Sequence, residues 1–527
     1  MEEGMMDSRV APPQVNYDNV LPLAIESRSN RREFLPVNGQ SFSNSTGATI
    51  CRIDVNADSM LDATHSYLEC DIRNDAANDT DFLSLNNFTP SWIQRLRIES
   101  GGVVIEDINE YSRLYAMLSL CQCPQDYLKN NYANLGLYSE PPSALLNTAA
   151  AGTEQLPTSG AVSAFIDDGA GNDTGAQNVT LSAADLTYTP TARTTLSGIQ
   201  TDQVGGVPET HVAPTDAALA AGGVHAKTKI FRGQSKRMCI PLVSGWLNMD
   251  KYIPLIMMNA GFTIELTLCD ANRVGMTTPE SNAAPNAAPI DSLWSVLNVK
   301  YVAHLIDLDR SFYDRLRMVM DASGGVLQLA GQTYRHYSGI LGNAANQYTI
   351  SLPARVKSVK SIFGTFLNST QVGSNTCYDS SVFQKAHIES FRFEIGSVRY
   401  PQTDIDCNGY DKQAQREAEL DKAFGKIGDY QHQKAYSLKH TANNEGIRNG
   451  RSPTGSCLSA FFVGYDFEAF NRVMLEQGID TSSRSLPINV IINKGASGAG
   501  VEHRADFYVL CDAIFFINLD GTASVSV

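Results

Sequence analysis

The sequence predicts an all-β protein: two tandem eight-stranded jelly rolls with short helices and a long loop insertion in the first. Three observations carry this. Apolar and polar residues alternate with a period of two in many short segments, the mark of half-buried strands. Forty Gly, 21 Pro and abundant Ser, Thr and Asn separate those segments with turns. The same order of elements, two strands, a hairpin, a helix and three strands, runs twice through the chain. Short strands with long, unequal loops suit a jelly roll better than an immunoglobulin-like sandwich.

The first half shows each element in turn. Residues 1–32 are polar, contain Pro12, Pro13 and Pro22, and end in Arg28, Arg31 and Arg32, which reads as an extended arm. Cys51, Ile53 and Val55 alternate with Arg52 and Asp54, and Leu68, Cys70 and Ile72 alternate with Glu69 and Asp71. Residues 94–99 and 103–108 flank a Ser100-Gly101-Gly102 turn and read as a hairpin. Tyr111, Leu114, Tyr115 and Leu118 then switch to helical spacing over 109–120. Residues 141–226 hold eight acids and one base, Arg193, with few large apolar residues, so they read as an insertion. Within it only 179–181 and 186–188 look strand-like. Strands resume at 237–243, 262–268 and 297–305.

A charged connector, 307–317, leads into the second half. Strand patterns occur at 347–352, 356–367, 391–395 and 398–400, a charged helix near 409–425, and strands again at 457–464, 486–492 and 505–519. The expected organisation is an arm over 1–45, a first jelly roll over 46–310 with its insertion at 141–227, and a second over 311–527.

Composition narrows the function. Apolar residues make up 43% of 527, enough for sizeable cores. Lys and Arg number 41 against 56 Asp and Glu, a net charge of −15, which disfavours binding nucleic acid over a broad face. The opening residues lack the apolar core of a secretory signal, and no run approaches the ~18 apolar residues of a membrane span. Ten scattered cysteines without a Cys-x-x-Cys suit reduced, buried thiols.

No catalytic, cofactor-binding or metal-ligating residue is assigned, and the chain reads as a non-enzyme. Gly495–Gly500 resembles a phosphate loop, but no helix pattern follows it, so it reads as a turn. Cys121-Gln-Cys123 lacks the second pair a zinc site needs. The nine histidines form no His-x-His or His-x-x-x-His, and His432 and His440 sit in a polar loop. Asp307 with Asp309, and Asp404 with Asp406, fall where strand patterns end, as turn aspartates do. Glu419 and Lys422 form an ordinary helix-surface pair.

Four stretches, in this order and spacing, resemble the double jelly-roll major capsid proteins of eukaryotic double-stranded DNA viruses, of the Polinton-like virus and virophage type. They are the 91–120 hairpin and helix, the 236–268 segment with Gly-Trp-Leu-Asn and Tyr-Ile-Pro-Leu, the 296–309 strand ending in Asp-Leu-Asp, and Phe391–Pro401. The resemblance spans about 46–525, departing at the insertion and the arm. It implies a homotrimeric, pseudo-hexameric capsomer that tiles an icosahedral virion shell beside other capsomers, penton and minor capsid proteins. It implies no sequence-specific nucleic-acid binding and leaves open whether a membrane lies beneath. The insertion would build part of a surface tower. The competing class is a tandem β-sandwich carbohydrate-binding or adhesin protein, which would favour aromatic platforms; only Trp92, Trp246 and Trp294 are present. A jelly-roll glycosidase would need paired acids in a cleft.

Overall fold

A computed structural model describes residues 26–43, 49–77, 81–85, 90–123, 147–150, 153–155, 187–188, 229–249, 251–279, 290–374, 380, 382–408, 412–425, 434, 460–469, 477–483, 486–495 and 501–527. The first half runs β1 (Ser27–Phe34), β2 (Ser41–Ser43), β3 (Ile50–Val55), β4 (Met60–Asn74), β5 (Asp81–Leu85), β6 (Ile93–Ser100), β7 (Val103–Asn109) and α1 (Tyr111–Gln122). It continues through β8 (Asn147–Ala150), β9 (Thr153–Gln155), β10 (Thr187–Tyr188), β11 (Lys229–Phe231), β12 (Ser235–Ile240), β13 (Ile253–Pro254), β14 (Phe262–Leu268), α2 (Ala271–Val274), β15 (Gly275–Pro279) and β16 (Trp294–Leu308). After α3 (Arg310–Ala322) come β17 (Val326–Leu341), β18 (Gln347–Leu352), β19 (Val359–Asn368), β20 (Ile388–Ile395), β21 (Val398–Asp406) and α4 (Ala414–Phe424). The chain ends with β22 (Phe462–Asp466), β23 (Ile488–Lys494), β24 (His503–Asn518) and β25 (Ala523–Ser526).

The pairing order defines the architecture. In the first half the sheets run β1-β16-β4-β12 and β3-β14-β6-β7. In the second they run β17-β24-β19-β22 and β18-β23-β20-β21. The first strand of each set pairs with the last, and the second with the second-last, which is jelly-roll topology. Each half is therefore a two-sheet jelly roll, and the fold is a double jelly roll.

The alternating residues face the cores as their pattern requires. Cys51, Ile53, Val55, Leu68, Cys70, Ile72, Phe262, Ile264 and Leu266 fill the first barrel. Phe391, Phe393, Ile395, Val490 and Ile492 fill the second. Burying each such side chain contributes roughly 1.5–3 kcal/mol. Their outward neighbours pair across strands, as where Glu265 of β14 accepts from Arg52 of β3 at 2.8 Å.

Among the strands that escape the pattern, β1 and β17 are the same strand of each barrel. The expected arm over 1–45 contributes β1 and β2 to the first barrel, so that barrel begins before residue 46. In the two barrel sheets of each half, three strands precede the hairpin, β1, β3 and β4 in the first and β17, β18 and β19 in the second, where the pattern predicts two. The physical reason is exposure. Residues 27–33 of β1 are all exposed, so no alternation marks them; backbone pairing to β16 makes them a strand. β17 is likewise an edge strand with few buried positions, held along its whole length by β24. The connector 307–317 includes the start of α3, whose N-cap Asp309 accepts from the Ser311 N–H at 3.3 Å. The insertion 141–227 lies outside the described residues apart from β8, β9 and β10, which pair with one another.

Jelly-roll topology sends the long connections to one end of each barrel and the tight turns, such as Gly101-Gly102 and Gly396-Ser397, to the other. Loop end meets loop end where Asn272 donates to the Gly373 carbonyl at 3.2 Å. Turn end meets turn end where Asn259 donates to the Asp520 carbonyl at 2.6 Å. The barrels thus stand side by side and parallel.

At the loop end of the second barrel, His503 is 1% exposed and its ring centroid lies 6.4 Å from that of His387. Burial, then the Lys494 charge, pushes its pKa down to about 4. Below pH ~6.5 the unfolded chain protonates this histidine while the folded protein does not, so stability falls as pH drops towards 4, by up to ~1.4 kcal/mol per unit. Urea denaturation at about pH 7 and about pH 5 should show that loss, and His503→Gln should shrink it. An unchanged pH slope in the variant would sink the assignment.

Candidate assembly site at the seam between the barrels

One helix forms the centre of the seam. Leu114 and Leu118 give α1 its apolar stripe, yet eleven of its twelve residues are buried because it lies between the two barrels. Its N-cap, Glu110, sits in the left-handed region at φ 51°, where a non-glycine residue costs about 1 kcal/mol or more. That conformation is held from several sides. The Glu110 carboxylate pairs with Arg273 at 2.6 Å and with Arg504 of β24 at 2.9 Å. Its carbonyl accepts from the Tyr508 hydroxyl at 2.9 Å.

One turn on, Arg113 lies 3.2 Å from Asp506 of β24, with both side chains no more than 1% exposed. Its guanidinium also donates to Thr365 of β19 and covers the Phe383 ring at 5.1 Å. Asp506 in turn pairs with His336 of β17 at 2.9 Å. Burial alone would raise the Asp506 pKa. The His336 hydrogen bond and the charges of Arg113 and Arg504 outweigh burial and bring it to about 2.

A second polar contact lies towards the turn end. Glu106 of β7 accepts from the Gly245 N–H at 2.8 Å, from Thr333 of β17 at 2.6 Å and from Ser244. Burial raises its pKa, and those hydrogen bonds only partly offset the rise. Beside it, Trp246 meets Phe515 of β24 edge-on at 5.2 Å. Gly245 is required there, because an added Cβ would lie 1.9 Å from the Gln332 carbonyl oxygen of the second barrel. At the Gly-Trp of the 236–268 stretch the two backbones thus approach closely. Above it, a half-open cavity of about 650 Å³ is lined by Tyr115, Leu118, Met249, Tyr334, Lys360 and Asp512, among others. Lys360 is held there by Glu468 at 2.6 Å and Asp512 at 3.5 Å.

The residues weighed as chemical candidates are scattered. Asp307 accepts from Asn30, and Asp309 caps α3. Asp404 pairs with Arg392 at 3.0 Å, while Asp406 lies 3.3 Å from Lys412. Glu419 pairs with Lys422 at 2.7 Å. Cys121 is buried with its thiol pushed up by burial, and Cys123 is half-buried at the cavity. Residues 496–500, His432 and His440 lie outside the described residues. Among the described residues no group of three His, Cys, Asp or Glu is placed to hold a metal. Of the histidines, His336 joins the seam, a role set by strand pairing that no spacing announces.

No family model matches the sequence, and no curated protein matches it. Solved structures do match in fold. The Faustovirus major capsid protein aligns at a TM-score of 0.50 with 8% identity, covering 96% of this chain and 92% of that one. PBCV-1 VP54, as fitted into a reconstruction of the virophage Sputnik, aligns at 0.48 with 10% identity, covering 97% and 99%. The mavirus major capsid protein aligns at 0.38 with 10% identity, covering 100% and 97%. The double jelly roll of this chain is the fold of the Faustovirus major capsid protein.

Three outcomes test the seam. Arg113→Met leaves Asp506 buried without that partner and should cost about 3–5 kcal/mol in urea unfolding, with Arg113→Met/Asp506→Asn recovering part of it. Gly245→Ala should destabilise by about 1–3 kcal/mol, since neither backbone can retreat cheaply. The eight described cysteines are free thiols, and Cys377 and Cys457 lie outside the described residues. Titration of the denatured, unreduced protein should recover all ten; four or fewer would contradict a reduced fold.

Proposed function

We propose that this chain is a major capsid protein that assembles as a homotrimer, a pseudo-hexameric capsomer tiling an icosahedral virion shell. The observation that carries this is the seam: it locks two jelly rolls of like topology side by side and parallel. One chain then presents two similar wedges, and three chains about a threefold axis present six, a near-hexagonal tile. The protein acts as a building block, with neighbouring capsomers, penton and minor capsid proteins as partners and the virion as its location. The division between the barrels falls at α3, and the insertion 141–227 would build part of a surface tower. The net charge of −15 suits an inner surface that does not adhere to the genome.

The carbohydrate-binding alternative loses its main feature. Trp92, Trp246 and Trp294 are all 0% exposed, so none offers a glycan platform. Light scattering on the eluting protein should give a trimer, and negative-stain images should show triangular or hexagonal particles. A monodisperse monomer at micromolar concentration that binds a glycan array overturns the proposal.

A further inference from the structure

At the seam, on the sheet β17-β24-β19-β22, one amine and two carboxyl groups meet away from water. The amine belongs to Lys360 of β19. This residue is the extra one of a β-bulge between Val359 and Ser361, opposite Cys511 and Leu510 of β24. Such bulges re-aim a side chain off the regular pleat. The Lys360 Nζ lies 2.6 Å from Oε1 of Glu468, just beyond β22, and 3.5 Å from Oδ1 of Asp512 on β24. All three side chains are at most 5% exposed.

A second lysine between two carboxylates sits differently. Lys434, between Glu417 and Asp421, is 18% exposed and its partner Asp421 36%, so water reaches those ions and stabilises them as ions. At Lys360 that solvation is missing, and one ammonium cannot neutralise two buried carboxylates.

The two carboxyl groups are held in different ways. Asp512 is fixed by Ser358, whose hydroxyl donates to Oδ2 at 2.7 Å and accepts from the Gly478 N–H at 3.0 Å. The Asp512 N–H also donates to the Ser358 carbonyl at 3.2 Å. A buried donor on Oδ2 is placed for the negative charge that oxygen carries when a nucleophile adds to Cγ. Glu468 makes the shorter contact with Nζ and is placed to take its proton. Leu118, Tyr334 and Leu510 line the half-open cavity onto which Lys360 and Asp512 face, a path by which a small product can leave.

We propose that Lys360 and Asp512 condense to an intramolecular isopeptide bond. Glu468 takes one proton from the ammonium and carries it to Asp512 Oδ1. The freed Nζ lone pair adds to Cγ, and the charge gathers on Oδ2 beneath the Ser358 hydroxyl. The Cγ–Oδ1 bond then breaks, and Oδ1 leaves as water with that proton and a second one from Nζ. An Nζ–Cγ amide remains, Glu468 is again a carboxylate, and no oxidant or co-reactant takes part. Two of the three buried charges are gone. Holding the groups in contact acts as an effective concentration of ~10⁵–10⁸ M, which drives a condensation that free solutes in water would not make. The bond ties β19 to β24, the two inner strands of the sheet on which the first barrel rests.

The test reads the folded full chain by mass spectrometry after denaturation. Wild type should be lighter than its sequence by one water, and Lys360→Met should carry its full sequence mass. A digest of wild type should yield a branched peptide joining Lys360 to Asp512. On a denaturing gel wild type should migrate apart from Lys360→Met. Glu468→Gln should fold, as read by circular dichroism, and form the bond at least tenfold more slowly. Separate, unmodified Lys360 and Asp512 peptides in the wild-type digest overturn the proposal. A branch from Lys360 to Glu468 overturns the assigned roles, and a water loss that persists in Lys360→Met places the dehydration elsewhere and overturns it too. If the variants do not fold, the wild-type digest decides alone.

Discussion

The buried pairing of Arg113 with Asp506 is the constraint on which the arrangement of the two barrels depends. Two charges at most 1% exposed are tolerable only if every neighbour is in place, since losing one partner strands the other in a poor dielectric. Here the neighbours come from both barrels: Glu110, Arg273 and Arg113 from the first, His336, Thr365, Arg504 and Asp506 from the second. An apolar seam would tolerate sliding, because hydrophobic contact is non-directional. This network has one register. The apolar part of the seam, with Trp246 against Phe515, supplies area, and the charges supply the angle between the barrels.

That division of labour explains the residue types around α1. The Tyr111 hydroxyl accepts from the Val243 N–H at 2.7 Å and ties the helix to the segment that carries Gly245 and Trp246. Glu110 accepts a left-handed backbone because two arginines and a tyrosine hold it there. Helix, loop and strand edge are locked together before they meet the second barrel. The proposed role as a shell tile calls for this stiffness, since an angular error within one subunit would be repeated through the assembly.

The two barrels are alike in topology and unlike in surface. The outer face of β17-β24-β19-β22 is a protein interior, with Tyr508 and Asp506 at 0% exposure. The corresponding face of β1-β16-β4-β12 is a charge ladder that keeps an exposed edge strand soluble, and its arginines guard β1 against indiscriminate pairing.

The sequence by itself determined the strands that have one wet and one dry side. Phe262–Leu268 and 347–352 are read residue for residue, because period-two alternation is a direct image of half-burial. It also determined the hairpins, the helix at α1 and the repeated order of elements, all set by local chemistry. The tertiary structure decided the rest. β1 and β17 carry no alternation and are strands only because β16 and β24 offer them hydrogen bonds. The seam joins Glu110 to Arg504 and Arg113 to Asp506 across almost four hundred residues. No local pattern encodes such a pairing, since the stability of a buried ion depends on what folding brings to its other side.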